Sequence, residues 1–117
     1  MTNKRIYIAA RGCGKTKWLI QNIIDTLNRN EYLNFVYVGD KNTYNHVCDR
    51  YLRETGKHCP LIYVEQTTDF VGLKEDNAVC FTDNIFNTDE AFKYKKIIED
   101  RNIPWYITMD DEDIVIE

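Results

Sequence analysis

Proline and glycine are scarce in this chain of 117 residues, which contains two prolines and five glycines. That scarcity excludes a collagen-like chain and a disordered chain rich in these two residues. Long hydrophobic runs are also lacking, because none approaches the roughly 20 apolar residues that a helix needs to cross a bilayer. With 44% hydrophobic and 29% charged residues, the composition predicts a folded domain without a membrane-spanning segment.

An excess of positive charge is missing as well, since 15 Lys and Arg stand against 19 Asp and Glu, a net charge of −4. Proteins that coat nucleic acid are usually basic, so the charge does not support a broad DNA-binding surface, although a local basic patch for DNA stays open. The four cysteines form no Cys-x-x-Cys pair, and the opening residues MTNKRI show no secretory signal. We therefore expect reduced thiols, a cytoplasmic location and no membrane partner.

Short apolar clusters alternate with segments of helical period, a pattern typical of the α/β class. The predicted strands are Ile6–Ala10, Phe35–Val38, Leu61–Val64, Ala78–Thr82, Trp105–Met109 and a sixth at Ile114–Ile116. The predicted helices are Lys15–Leu27, Thr43–Glu54 and a third that runs from near Asn87 to near Asn102. This order predicts one domain over residues 1–117, built on a mostly parallel sheet of five or six strands.

One link in this pattern, between the third and fourth strands, is short. It covers residues 65–77 and carries no long helical period. A parallel crossover needs about a dozen residues, so the link is barely long enough for one. The third strand is therefore expected to be either a parallel strand or an antiparallel edge.

Residues 9–16, Ala-Ala-Arg-Gly-Cys-Gly-Lys-Thr, fit the relaxed phosphate-loop pattern A/G-x-x-x-x-G-K-S/T. A predicted strand precedes this loop and a predicted amphipathic helix follows it, as the motif requires. Gly12 and Gly14 allow a tight turn whose N–H groups form an anion nest, and the helix N-terminus adds partial positive charge. The residues predicted to hold a nucleotide are Arg11, Gly12, Cys13, Gly14, Lys15, Thr16 and Lys17.

The chemistry of nucleoside triphosphates assigns roles to two of these residues and predicts one partner. Lys15 is expected to place its charge on the β- and γ-phosphates of ATP or GTP, and the Thr16 hydroxyl is expected to ligate Mg²⁺. A phosphate loop also predicts an Asp after a buried strand to hold the metal, and Asp83 follows Ala78–Thr82 in that position. The predicted magnesium ligands are thus Thr16 and Asp83.

Two further residues are candidates for contact with the γ-phosphate. Thr108 lies at the end of the predicted fifth strand, and a polar residue there commonly senses the γ-phosphate. Arg11 lies inside the loop and could reach the γ-phosphate of its own site or face a neighbouring subunit. The predicted catalytic residues are therefore Arg11, Lys15, Asp83 and Thr108.

With these motifs the chain resembles the P-loop NTPase superfamily. Residues 10–16 are especially similar to the loop of ring-forming DNA-packaging ATPases from tailed phages, and residues 34–38 resemble the second strand of those proteins. The resemblance implies a three-layer P-loop NTPase-like fold, in which the strand after the Asp strand lies between it and the loop strand. It also implies phosphate and Mg²⁺ contacts for Lys15 and Thr16, a metal contact for Asp83 and, for a viral chain, a location in the host cytoplasm.

The chain also departs from that family. Ala9 replaces the usual first glycine, and no nuclease domain or long basic arm is seen, so a packaging role does not follow. The hydrolytic branch often has a Glu after the metal-binding Asp to polarise the attacking water. Here that residue is Asn84, which cannot accept a proton. Glu65 or Glu90 could substitute for the missing base, and so could a second copy of the chain or a partner ATPase.

Three functions stay open on the sequence. The first is a small Mg²⁺-dependent nucleoside triphosphate-binding protein, acting as a weak or partner-dependent ATPase. The second is a non-catalytic module of the same fold that binds and modulates another protein, of host or viral origin. The third is a nucleoside or nucleotide kinase, for which a chain of this length leaves little room for a lid or a base pocket.

Overall fold

A computed structural model describes residues 4–9, 14–83 and 89–110 of the chain. The strands are β1 (Lys4–Ala9), β2 (Asn34–Tyr37), β3 (Ile62–Tyr63), β4 (Ala78–Thr82) and β5 (Trp105–Asp110). The helices are α1 (Lys15–Arg29), α2 (Lys41–Thr55) and α3 (Asp89–Asp100), with a 3₁₀ turn at Thr67–Phe70. The predicted α/β class is confirmed, while the predicted sixth strand at residues 114–116 lies outside the described residues.

The strands form one sheet in the order β1-β5-β4-β2-β3, and every neighbouring pair is parallel. β5 therefore lies between β1 and β4, which is the place that the resemblance implies for the strand after the Asp strand. Because all described strands run in the same direction, their carboxyl ends meet along one edge of the sheet. In open parallel sheets this is the edge at which ligands bind.

The third strand is an edge strand, but the expectation that it could be antiparallel is wrong. β3 runs parallel to β2, with Val36 opposite Ile62 and Tyr37 opposite Tyr63. β4 pairs with the other side of β2, so the link from β3 passes across β2 before β4 begins. This link buries Phe70 at the end of a 3₁₀ turn, and a compact turn with an apolar anchor spans the distance without a full helix.

Helices cover both faces of the sheet, and alternate strand residues point to opposite faces, as the period of two requires. One face packs on α1 and α2 through a cluster that we call the α1–α2 layer. Its members include Leu19, Ile20, Ile23, Phe35, Tyr37, Val47, Tyr51, Val79, Phe81 and Tyr106. The other face packs on α3 through the α3 layer, whose members include Val36, Val38, Phe70, Cys80, Tyr94, Ile98, Trp105 and Ile107.

The two helices of the α1–α2 layer begin in different ways. Gly14 precedes α1 with φ +81, and a Cβ at this residue would have no neighbouring atom within 4 Å, so the left-handed backbone rather than crowding favours glycine there. The N-cap residue of α1 is Gly14, which has no side chain that could cap the helix. α2 begins at Lys41, two residues before the predicted start, because the Asp40 carboxylate accepts a hydrogen bond from the N–H of Thr43 at 2.6 Å.

Within the described part of the chain, no helix is both long and apolar enough to cross a bilayer.

Candidate functional site

The Asp83 carboxylate joins three parts of the chain at the carboxyl edge of the sheet. The Thr16 hydroxyl, in the first turn of α1, donates a hydrogen bond to Oδ2 of Asp83 at 2.8 Å. The Thr108 hydroxyl, on β5, donates to Oδ1 at 2.5 Å. Asp83 is 6% exposed and Thr108 is fully buried. Three residues that the sequence predicted for one site therefore lie in direct contact, although 67 positions separate Thr16 from Asp83.

The carboxyl end of β4 is held on the α3 layer by its last residue. The Thr82 hydroxyl donates to the carbonyl of Val38 at 2.5 Å and accepts a hydrogen bond from the Trp105 indole at 2.9 Å. Both side chains are fully buried, so these bonds do not compete with water. This contact fixes the main chain directly before Asp83.

On the opposite face, a phenol holds the main chain of Asp83 itself. The N–H of Asp83 donates to the Tyr37 hydroxyl oxygen at 3.1 Å, and that hydroxyl donates onward to Oγ1 of Thr43 at 2.6 Å. Burial raises the pKa of the Tyr37 phenol above its usual value, so the hydroxyl keeps the proton that it donates. The sequence did not predict Tyr37 or Thr43 as site residues, because no motif links either of them to Asp83.

The chemistry of this donor set suits a hard cation. A hydroxyl that donates its hydrogen still has lone pairs, so Thr16 can bind a cation while it remains bonded to Asp83. Mg²⁺ is usually held by one or two carboxylates together with phosphate oxygens and water. Among the described residues there is no group of three or more His, Cys, Asp or Glu that could hold a metal. The Asp83 carboxylate and the Thr16 hydroxyl are both oxygen ligands of the kind that Mg²⁺ prefers.

The N-terminus of α1 lies beside this carboxylate through Thr16. The first turn of α1 contains no acidic residue but does contain Lys15, which is half-buried, and Lys17, which is exposed. A helix N-terminus with nearby lysines attracts anions. The phosphate-loop residues that precede it, Arg11, Gly12 and Cys13, lie outside the described residues, and so does Asn84; the roles predicted for them stay predictions.

The other residues that were considered as a base lie in separate elements. Glu65 is exposed in the link after β3, where its N–H donates to Oδ2 of Asp69. Glu90 lies in the first turn of α3. Neither prediction is tested by these positions.

The fold and site together define an α/β protein whose parallel sheet has a buried carboxylate, bonded by two hydroxyls, at its carboxyl edge. Comparisons of the chain with protein-family models, with curated proteins and with solved structures found no significant match. Because one fold supports many unrelated activities, function has to be argued from the residues of the site.

Proposed function

We propose that the chain is a small Mg²⁺-dependent nucleoside triphosphate-binding protein of the P-loop type, with weak or partner-dependent ATPase activity. The observation that carries the proposal is the contact of Thr16 with Asp83. It brings the last residue of the phosphate-loop motif to the acidic residue that the motif requires elsewhere in the chain. A Gly-Lys-Thr turn that matched the motif only by chance would not be expected to contact that carboxylate.

The strand order supports the same proposal. β5 separates β1 from β4, so the carboxyl ends of β1 and β4 lie on either side of β5. Thr108 on β5 lies between them and bonds to Asp83. A Rossmann-like dinucleotide protein also has a parallel sheet, but its first strand is central, whereas β1 lies at the edge of the described sheet. Its G-x-G-x-x-G loop also lacks the Lys and Thr that follow Gly14 here.

Each residue has a distinct role in this proposal. The backbone N–H groups of residues 11–17 bind the phosphate chain, and Lys15 neutralises the charge on the β- and γ-phosphates. Thr16 and Asp83 hold Mg²⁺, which when bound offsets charge on the phosphate oxygens. Thr108 orients the Asp83 carboxylate through the 2.5 Å hydrogen bond, and Arg11 is the candidate for contact with the γ-phosphate. The bound nucleotide is ATP or GTP.

The site supports slow hydrolysis at most. Both carboxylate oxygens of Asp83 accept hydroxyl hydrogens, which favours a fixed metal ligand over a base that removes a proton from water. The next residue, Asn84, cannot serve as a base either. Rapid turnover would then require Glu65 or Glu90 as the base, or a base or an arginine from a second copy of the chain or from a partner ATPase.

The hydrogen bond from Thr108 to Asp83 favours a second candidate function. Because the buried Thr108 hydroxyl donates to Asp83, contact of that hydroxyl with a γ-phosphate would require it to exchange partners. A chain that binds nucleotide without hydrolysing it would act as a switch module that docks on another protein. Phosphate release, measured beside binding, separates this candidate from the ATPase.

Titration calorimetry with a matched pair of lysine variants tests the proposal. Lys15→Ala removes the phosphate-binding lysine, and Lys57→Ala removes an exposed lysine after the end of α2. We expect Mg²⁺-ATP affinity to fall about 10- to 100-fold in Lys15→Ala, as for loss of a hydrogen bond to a charged group, and to stay unchanged in Lys57→Ala. Each titration is repeated in EDTA and with GTP.

No binding by the wild-type protein would refute nucleotide binding, and equal affinities in the two variants would refute binding through the phosphate loop. Binding without phosphate release, at protein concentrations high enough to drive self-association, supports the non-catalytic module. Release that is abolished in Lys15→Ala supports the ATPase.

A further inference from the structure

We propose that Tyr37 is a positioning residue for the metal-binding carboxylate, and that its hydroxyl ties Asp83 to the first turn of α2. This inference rests on the proposed function, because it concerns how the same site holds Mg²⁺. Tyr37 touches neither a phosphate-loop residue nor the Asp83 carboxylate in the described contacts. Its effect on metal binding passes through the main chain of Asp83.

The geometry places the Tyr37 phenol where the strand ladder ends. Tyr37 lies opposite Phe81 in the β2–β4 pairing, and β4 ends one residue later at Thr82. The N–H of Asp83 therefore bonds to a side-chain oxygen, the Tyr37 hydroxyl, at 3.1 Å. Since the phenol is fully buried, water cannot readily replace it. Removing the hydroxyl leaves a buried N–H without its partner and frees the main chain that carries the carboxylate.

The hydroxyl is itself fixed from the far side by α2. It donates to Oγ1 of Thr43 at 2.6 Å, and that Oγ1 donates to the carbonyl of Asp40 at 3.1 Å. The N–H of Thr43 is bonded to the Asp40 carboxylate, so the acceptor of the phenol belongs to the capped first turn of the helix. A continuous chain of hydrogen bonds thus runs from the α2 cap to the main chain of Asp83.

Metal binding should be sensitive to this series of hydrogen bonds, because two short hydrogen bonds to the carboxylate depend on the position of the Asp83 main chain. The Oδ2 and Oδ1 atoms accept from Thr16 at 2.8 Å and from Thr108 at 2.5 Å. A shift of a few tenths of an ångström in the Asp83 main chain would lengthen one or both of these bonds. Partners that orient a metal ligand typically change metal affinity about 10- to 100-fold when they are lost.

Tyr44 supplies a matched control for the phenol. It lies in the same layer, with its ring centroid 5.6 Å from that of Tyr37, and its hydroxyl donates to the carbonyl of Leu61 at 3.0 Å. Tyr37→Phe and Tyr44→Phe each keep an aromatic ring and remove one hydroxyl. They differ in that only Tyr37→Phe removes a contact to Asp83.

The experiment measures ATP affinity by calorimetry across a range of Mg²⁺ concentrations and in EDTA. We expect Tyr37→Phe to raise the Mg²⁺ concentration for half-maximal tightening of ATP binding about tenfold, with affinity in EDTA unchanged. Tyr44→Phe should match the wild type in both measurements, although both variants lose thermal stability. Thr43→Ala, which removes the acceptor of the phenol but leaves Tyr37 in place, should shift the Mg²⁺ requirement in the same direction and by less.

The results distinguish failure of the positioning role from failure of the proposed function. A Mg²⁺ requirement that is unchanged in Tyr37→Phe, or raised equally in both phenylalanine variants, overturns the positioning role and leaves nucleotide binding in place. If Tyr37→Phe does not fold, an unchanged Mg²⁺ requirement in Thr43→Ala overturns it instead. Wild-type protein that binds ATP without regard to Mg²⁺, or does not bind ATP, overturns the inference together with the magnesium site.

Discussion

The hydrogen bond from Thr108 to Asp83 can be tested without any ligand. Thr108→Val replaces a fully buried hydroxyl with a methyl group of similar size and leaves Oδ1 of the carboxylate without its 2.5 Å donor. Thr26→Val is the matched control. Thr26 is also fully buried, but its hydroxyl donates only to the helix carbonyls of Asn22 and Ile23, which are neutral.

The expected difference follows from the charge of the acceptor. A hydrogen bond to a charged group contributes about 1.5–3 kcal/mol and a neutral one about 0.5–1.5 kcal/mol. Burial of the added methyl group stabilises each variant by about 0.8 kcal/mol. Thr108→Val should therefore lose about 1–2 kcal/mol of unfolding free energy, whereas Thr26→Val should stay near the wild-type value. For 117 residues, the unfolding entropy converts that loss into a fall in Tm of about 4–8 °C.

Urea unfolding followed by tryptophan fluorescence and circular dichroism measures both variants in the absence of nucleotide. The two probes should give the same transition if unfolding is two-state. Equal free energies for Thr108→Val and Thr26→Val, within about 0.5 kcal/mol, would refute the contact between Thr108 and the carboxylate. Because no ligand is present, that result would count against the geometry of the site irrespective of its function.

Two further predictions concern a glycine pair and a thiol. Gly14→Ala and Gly56→Ala both put a side chain at a left-handed residue, with φ +81 and +73 and open space around the Cβ position. Each variant should therefore lose about 1–2 kcal/mol of unfolding free energy, measured by thermal denaturation. Only Gly14→Ala should weaken Mg²⁺-ATP binding, and equal binding by both variants would contradict a role for Gly14 in the loop. Burial raises the pKa of the Cys59 thiol to about 12, which lowers its thiolate fraction at pH 8 roughly 1,000-fold. Iodoacetamide should therefore label Cys59 far more slowly in the folded protein than in urea, measured by peptide mass spectrometry. Similar rates in the two states would show that Cys59 is exposed.

The sequence predicted the secondary structure best where apolar residues end sharply at polar ones. β4 has the predicted bounds, because Ala78–Thr82 is buried throughout and a polar residue precedes and follows it. α2 begins earlier than predicted because the Asp40 side chain caps it. The direction of β3 was not predictable from the length of the following link, since the link is long enough for a crossover only with a compact turn that buries Phe70.

The grouping of Thr16, Asp83 and Thr108 was predictable from the sequence. Thr16, Asp83 and Thr108 each follow from a rule about the end of a strand or the start of a helix, and the structure brings them into contact. Tyr37 does not follow from such a rule. An inward-facing Tyr on a buried strand has the pattern of a core residue, and its contact with Asp83 depends on the register between β2 and β4, which a single sequence does not supply.

The contacts of Asp83 also limit when the candidate site can form during synthesis. Its contacts reach back 67 positions to Thr16 and forward 25 positions to Thr108. A nascent chain on the ribosome cannot complete the site until the segment that contains Thr108 has been made. A ligand bound there would contact early and late parts of the polypeptide. It would therefore stabilise the molecule against cooperative unfolding of the whole domain, and not only against fraying of one end.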